Sequence, residues 1–390
     1  MNSEKKAVVT RLQVNGHNIR FLFIMSDMRH TDSITAEPLD SDPVGTVYSA
    51  RITGLTSSPD AAFASIKDKE NAFISGSELD RAIILHGDRK RLTGSTILAS
   101  KKREKVKGKY VTLSSEISLH SRHLILINKP GGLHISKKTG KEDLIKLKSG
   151  LEELVPPDMT LITRTDAADA SIVDIQNECS KLLLQYRDLL KKASAAADSS
   201  PVYRPPGIVS DLAMHLTIND ASEIISDDRE FINEYRRNTA DLPLREYNDD
   251  YPLSKLYCLQ SVLDHARDRV VHLKSGAEIV IDETEAMNVI DVNTACHVSK
   301  VSRYEDFLSV NKEAAEEIAR QMKIRNLSGI IIVDFLKMKD SSDEEKIIDL
   351  MKDLTRNDRF HVDVVGFTKL GLLEMTRIKR LMPLSQLLTQ

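Results

Sequence analysis

The sequence predicts an α+β protein of several subdomains, and three patterns carry that prediction. Short strands separated by turn residues run to about residue 119. A long amphipathic helix follows near 171–197, and beyond Leu253 strands and helices alternate. At 390 residues the chain exceeds what one hydrophobic core usually serves, so two to four domains or subdomains are expected.

Residues 7–24, "AVVTRLQVNGHNIRFLFI", read as two strands around an Asn-Gly turn, the strongest short hairpin signal. The polar stretch Ser26–Pro43 reads as a loop or linker. From Val44 to about Leu119 the pieces "VGTVYSARITGL", "AAFASI", "NAFISG" and "KYVTLSSEISL" suggest a small β-barrel, with the basic run "KKREKVKGK" (Lys101–Lys109) between its later strands. "HLILINKPGG" and "MTLITRTDAADAS" are strand-like around a helix at 141–154. The helix Ser171–Ala197 carries apolar residues at three- and four-residue steps, and the proline- and glycine-bearing stretch Asp198–Gly207 stops it at a boundary. A helix near 254–268 precedes three strands with "KSG" as a turn. "YEDFLSVNKEAAEEIARQMKIRN" is amphipathic, with Phe307, Leu308, Ala314, Ala315, Ile318 and Met322 on one face. The near-continuous apolar run "LSGIIIVDFLKM" predicts a strand covered on both faces, followed by a helix at 343–355 and the strand "FHVDVVGF".

Composition narrows the function. With 41% hydrophobic and 29% charged residues the chain has the make-up of a soluble globular protein. A net charge of −3 gives no overall basic field, so a polyanionic partner must be met by local patches. Cys179, Cys258 and Cys296 form no CxxC pair, which argues against a disulfide framework and a zinc site within one chain and suits a reducing compartment. The opening residues lack a signal-peptide core and the apolar runs are too short to cross a bilayer, so a cytoplasmic location without a membrane partner is expected.

Two strand segments each end in an acid: Asp291 in "AMNVIDVNTA" and Asp334 in "GIIIVDFLKM". A buried, unpaired carboxylate is costly, and a cation shared by the two would remove that cost. The bland alternative for either residue is a strand-end acid that caps a neighbouring helix.

The motifs "SGAEIVIDETEAMNVIDVNT", "NKEAAEEIARQMKIRNLSGIIIVDF" and "GFTKLGLLEMTR" together resemble the ribonuclease E/G family of bacterial endoribonucleases. Upstream, "VYSARITGLTSSPDAAFASIKDKENAFISGSEL" is similar to the RNA-binding barrel named after ribosomal protein S-one, and "LITRT" resembles the family's sensor of the RNA 5′ end. The resemblance implies an RNase H-like subdomain formed by 1–39 and 205–266. It places an inserted OB-type barrel at 40–119 and a 5′-sensor region at 120–204. A DNase I-like catalytic subdomain follows at 267–390.

The same resemblance implies function. Asp291 and Asp334 would hold one Mg²⁺ at the scissile phosphate of single-stranded RNA, with Asn293 orienting the attacking water or the phosphate. Mg²⁺ suits this donor set, since it takes oxygen ligands and often only one or two carboxylates. The products would be a 5′-phosphate and a 3′-hydroxyl, in RNA processing or decay; DNA is not expected as a substrate. Arg164 and Thr165 match the phosphate-sensing pair, and His361 falls where the family tends to have a basic residue for the same phosphate. Phe63 and Phe73 match base-stacking aromatics, with core residues as the alternative, and Lys107 matches an RNA-contacting lysine.

Some residues depart from the family pattern. Lys337 stands where a second acid is common, which leaves room for an RNA-binding homologue with weak or lost turnover. Asp166 and Asp169 follow the sensor pair and would repel a phosphate, so a modest 5′-end preference is expected. Asp282, Glu283 and Glu285 read as supporting or solvated groups. No Cys-Pro-x-Cys motif occurs, so a zinc-linked dimer is not expected, and any homo-oligomer would lack a shared zinc site.

Overall fold

The first three strands form a meander: β1 (Lys6–Val14), β2 (His17–Met25) and β3 (Thr31–Pro38). The β1–β2 turn is Asn15-Gly16, with φ of 52° and 85°, the positive pair that a two-residue hairpin turn requires. The computed structural model describes residues 5–27, 30–57, 60–67, 70–103, 110–136, 139–168, 170–237, 241–294, 303–338 and 340–389. The chain divides into two units, Met1–Asp40 with Ile208–Gln390, and Ser41–Gly207.

The inserted unit begins with β4 (Val47–Ser57), β5 (Asp60–Ile66), β6 (Glu70–Ser75), the short helix α1 (Gly76–Leu79), β7 (Ile83–Asp88), β8 (Arg91–Arg103) and β9 (Val111–Ser114). Their order is β4-β5-β6-β9-β8, and β4 also pairs with β8, which closes a five-stranded barrel. Ala50, Ala62, Ala64, Ala72, Ile74 and Ile97 fill it at 0% exposure, the small residues suiting its tight interior. A second sheet, β10 (Ser118–His120), β11 (Leu124–Ile127), β13 (Thr160–Thr163) and β12 (Gly132–His134) in that order, packs with α2 (Lys141–Leu151) and α3 (Ile172–Ala195). Ser171 caps α3 by accepting from the Asp174 amide. The last strand of the unit, β14 (Ser200–Tyr203), pairs with β4.

The chain then re-enters the first unit. After α4 (Ile208–Met214), β15 (Glu223–Ser226) adds parallel to β1; after α5 (Arg229–Arg237), β16 (Leu244–Glu246) adds parallel to β15. Helices α6 (Leu253–Leu256) and α7 (Leu259–His265) lead to β17 (Val270–His272), β18 (Glu278–Glu283) and β19 (Met287–Asn293). Helix α8 (Arg303–Ile324) crosses to β20 (Gly329–Asp334), α9 (Ser341–Thr355) to the hairpin β21 (Val362–Phe367) and β22 (Leu372–Arg377), and α10 (Leu384–Leu387) follows. This sheet runs β17-β18-β19-β20-β22-β21, with β19 and β20 parallel as a helical crossover demands.

Several sequence expectations need correction. Ser26–Pro43 is not simply a linker, because it contains β3, whose Thr31, Ile34 and Ala36 are buried while its backbone pairs with β2. The boundary stretch 198–207 likewise holds β14, recruited by pairing with β4. The helix expected at 254–268 is broken at Cys258, which sits at φ 50° between α6 and α7. The sheet carrying β20 is covered on one face: Ile331 and Val333 are fully buried against α8 and α9, whereas Ile330 is 46% exposed. The run of isoleucines hid a two-residue alternation that only this one-sided packing reveals.

Candidate active site

That alternation positions the two acids. Ile290 and Val292 of β19 and Ile331 and Val333 of β20 point into the core formed with Ala314, Ala315, Ile318 and Met322 of α8. Asp291, Asn293 and Asp334, lying between or beyond them, take the opposite face. Asp291 and Asp334 are register partners across the parallel β19–β20 pair, Asp334 at the end of its strand and Asp291 near the end of its own. Adjacent strands lie roughly 4.8 Å apart, so one small cation fits between two carboxylates placed this way. Asp291 is half-buried and Asp334 exposed. The acids therefore escape the burial that their apolar flanks suggest, and both are reachable by a ligand.

Asn293 donates from its amide to Asp291 Oδ2 at 2.7 Å. The residue expected to orient water or phosphate is here seen to orient the first carboxylate. A side chain not among the expected site residues does similar work for the second. Asn311 of α8 is fully buried; its amide donates to the Leu336 carbonyl at 2.8 Å and its oxygen accepts from the Leu336 amide at 3.0 Å. This two-point clamp holds the segment leaving Asp334. The surroundings "FLSVNKEAA" mark Asn311 as a polar residue close to the apolar stripe of an amphipathic helix, which was the available signal. Lys337 is exposed. Asp282 is engaged elsewhere: Arg269 donates to both of its oxygens at 2.5 and 2.6 Å and holds its carboxyl below the usual range. Glu283 accepts from the Ser385 hydroxyl at 2.6 Å. Among the described residues, no group of three or more His, Cys, Asp or Glu side chains is placed to hold a metal, so the candidate donor set is the aspartate pair.

In the inserted unit, Arg164 follows β13, and its amide donates to the His123 carbonyl at 2.8 Å. Its Nη2 donates to His120 Nδ1 at 3.5 Å, which brings a second nitrogen-bearing side chain to the place expected to sense phosphate. Glu178 of α3 pins the β10–β11 turn, accepting from the Ser121 hydroxyl at 2.8 Å and the His123 amide at 3.1 Å, with His123 Nδ1 at 2.7 Å. Burial pushes the Glu178 carboxyl up, but these hydrogen bonds outweigh it and hold it below the usual range. Thr165 opens the short 3-10 turn Thr165–Ala168; its side chain, that of Asp166, and all of Asp169 lie outside the described residues. His361 belongs to the other unit, where it is exposed just before β21.

Phe63 and Phe73 are register partners on β5 and β6, with ring centroids 6.1 Å apart at 69°. Both are half-buried on the outside of the barrel, not among its core residues. Lys107 lies outside the described residues.

The model of the ribonuclease E/G family matches residues 118–380. Ribonuclease G of Haemophilus influenzae is 27% identical over 86% of this chain and 72% of its own length. Ribonuclease E of Escherichia coli strain K12 is 28% identical over 86% of this chain, which spans only 33% of that protein. Ribonuclease E of Buchnera aphidicola (subspecies Acyrthosiphon pisum) is 26% identical over 85% of this chain and 39% of its own. The chain belongs to the ribonuclease E/G family, a family of endoribonucleases, which are hydrolases.

Proposed function

We propose that the chain is a Mg²⁺-dependent endoribonuclease for single-stranded RNA, active in cytoplasmic RNA processing or decay. The observation that carries this reading is the register pairing of Asp291 with Asp334 on the open face of two parallel strands. The carboxyl ends of parallel strands are where α/β sheets commonly place ligands. Two accessible carboxylates from adjacent strands suit a hard, oxygen-seeking cation that keeps much of its water. When bound, the ion supplies Lewis-acid polarisation of the phosphate and a more acidic water.

The chain's own residues do the rest. Asp291 and Asp334 would hold the ion at the site of cleavage, and Asn293 holds Asp291 in one orientation while aligning water or phosphate. Hydrolysis forms a bond from water oxygen to phosphorus and breaks the P–O3′ bond; a proton goes to the departing oxygen. The products are a 3′-hydroxyl and a 5′-phosphate. Arg164 and Thr165 serve the 5′-phosphate, a guanidinium fork being suited to two phosphate oxygens, and His361 is the further basic residue expected for it. Phe63, Phe73 and Lys107 bind the strand by stacking and charge. The same reading carries the subdomain plan: an RNase H-like part from 1–39 and 205–266, the barrel at 40–119, the sensor at 120–204 and a DNase I-like part at 267–390.

The test incubates the purified chain with 5′-monophosphorylated single-stranded RNA, with Mg²⁺ and with EDTA, and determines the ends produced. Cleavage with Mg²⁺ alone and the stated ends are expected. Binding without cleavage under either condition would instead make the chain an RNA-binding homologue, the reading that Lys337 leaves open.

A further inference from the structure

We infer that Tyr110 is a third base-stacking residue of the barrel, forming with Phe63 and Phe73 a platform for unpaired bases of single-stranded RNA. The inference rests on the reading of the barrel as an RNA-binding surface, and it adds a residue that neither the sequence motifs nor the family resemblance singled out.

Tyr110 immediately precedes β9, which pairs parallel with β6; Thr112, two residues on, is the register partner of Phe73. Two residues along an extended chain return to the same face, so Tyr110 comes to the side of the sheet that carries Phe73. Its ring lies 5.2 Å from that of Phe63 at 72°. Phe63 therefore has two edge-related rings beside it, Phe73 and Tyr110. Its β4 partner is Gly54, where an added Cβ would meet nothing within 4 Å among the described residues, so a side chain from β4 does not cover that flank of the ring.

The exposure pattern separates this cluster from a core. On β6, Ala72 and Ile74 are fully buried and Phe73 between them is half-buried on the outer side. Tyr110 is 51% exposed. Three aromatic rings gathered on the outside of a barrel whose interior is filled by alanine and isoleucine contribute little to its closure. In an edge-to-face pair the ring that presents its edge keeps both faces and the other keeps the face turned away, and every nucleobase offers a π-face to such a surface irrespective of sequence. In the sequence Tyr110 directly follows the basic run Lys101–Lys109, whose residues 104–109 lie outside the described residues.

The experiment exploits the absence of tryptophan from the sequence. In the full chain carrying Tyr110→Trp, the sole indole reports directly on stacking. Titration with single-stranded oligoadenylate, with EDTA present to prevent turnover, should quench its emission with the same midpoint as binding measured by anisotropy. Tyr110→Ala should weaken binding at least fivefold, in line with the usual contribution of one stacked base, and Tyr110→Phe should bind as the native chain does. Unchanged emission at saturation, or native affinity in Tyr110→Ala, overturns the inference. Phe63→Ala run in parallel separates the two readings. If it loses affinity while Tyr110→Ala does not, the barrel binds RNA without Tyr110; if neither variant loses affinity, the barrel is not the binding surface.

Discussion

At the residue scale, the aspartate pair makes the sharpest prediction. Asp291→Asn and Asp334→Asn should each reduce cleavage about a hundredfold or more, since a lost metal-holding carboxylate removes several kcal/mol of stabilisation and about 1.4 kcal/mol is tenfold in rate. RNA affinity should change little, because the proposed function assigns stacking and phosphate contacts to other residues. Single-turnover rates and filter binding of both variants decide it, and near-native turnover in either one rules out the assignment. This pair was legible in the sequence because it sits inside long motifs that specify strand, register and acid together. Tyr110 and His120 were not legible. Their significance comes from contacts with Phe63 and Arg164, which are 47 and 44 positions away and become neighbours only through sheet pairing.

At the element scale, one side chain of β22 ties the strand to segments outside its ladder. Arg377 is 4% exposed; its guanidinium donates to both Asp358 oxygens at 3.1 Å, to Asn326 Oδ1 at 2.9 Å and to the Leu327 carbonyl at 3.1 Å, and it lies 5.0 Å from the Phe360 ring centroid. It ties β22 to the α8–β20 turn and to the segment before β21. Removing one partner of a buried pair strands the other, so Arg377→Ala should destabilise the fold by about 3–5 kcal/mol. Arg377→Lys should recover only part of that, since an ammonium cannot reproduce the fork. Thermal unfolding of the two variants beside the native chain checks both outcomes. Helices α3 and α8 were readable from the three- and four-residue spacing of their apolar residues. Strands β3 and β14 were not, because their segments are polar and become strands only when β2 and β4 present an edge.

At the scale of the whole molecule, acid sensitivity should enter through the barrel. Burial pushes the Glu78 carboxyl up, but hydrogen bonds from Lys102 and from the hydroxyl and amide of Ser115 outweigh it and hold it at about 2, against 4.5 unperturbed. A carboxyl depressed in the folded state binds protons more readily when unfolded. Its contribution, at most roughly 3 kcal/mol and reduced by solvent screening of the half-exposed Lys102, is therefore complete above pH 4.5 and lost as pH falls toward 2. Hydrogen exchange of barrel amides at about pH 5 and pH 3, corrected for intrinsic rates, should show this loss in the native chain and a smaller one in Glu78→Gln. The inserted unit has another property that follows from how it starts and finishes. Its incoming strand β4 and outgoing strand β14 are neighbours, Val47 facing Tyr203 and Ser49 facing Ser200, and just outside them Arg204 pairs with Asp42 at 3.0 Å. A segment whose two ends are clasped in this way behaves like a bead on a loop of string. Its two ends leave from adjacent strands, so the segment 41–207 should keep the pairing of β4 with β14 when it is expressed alone.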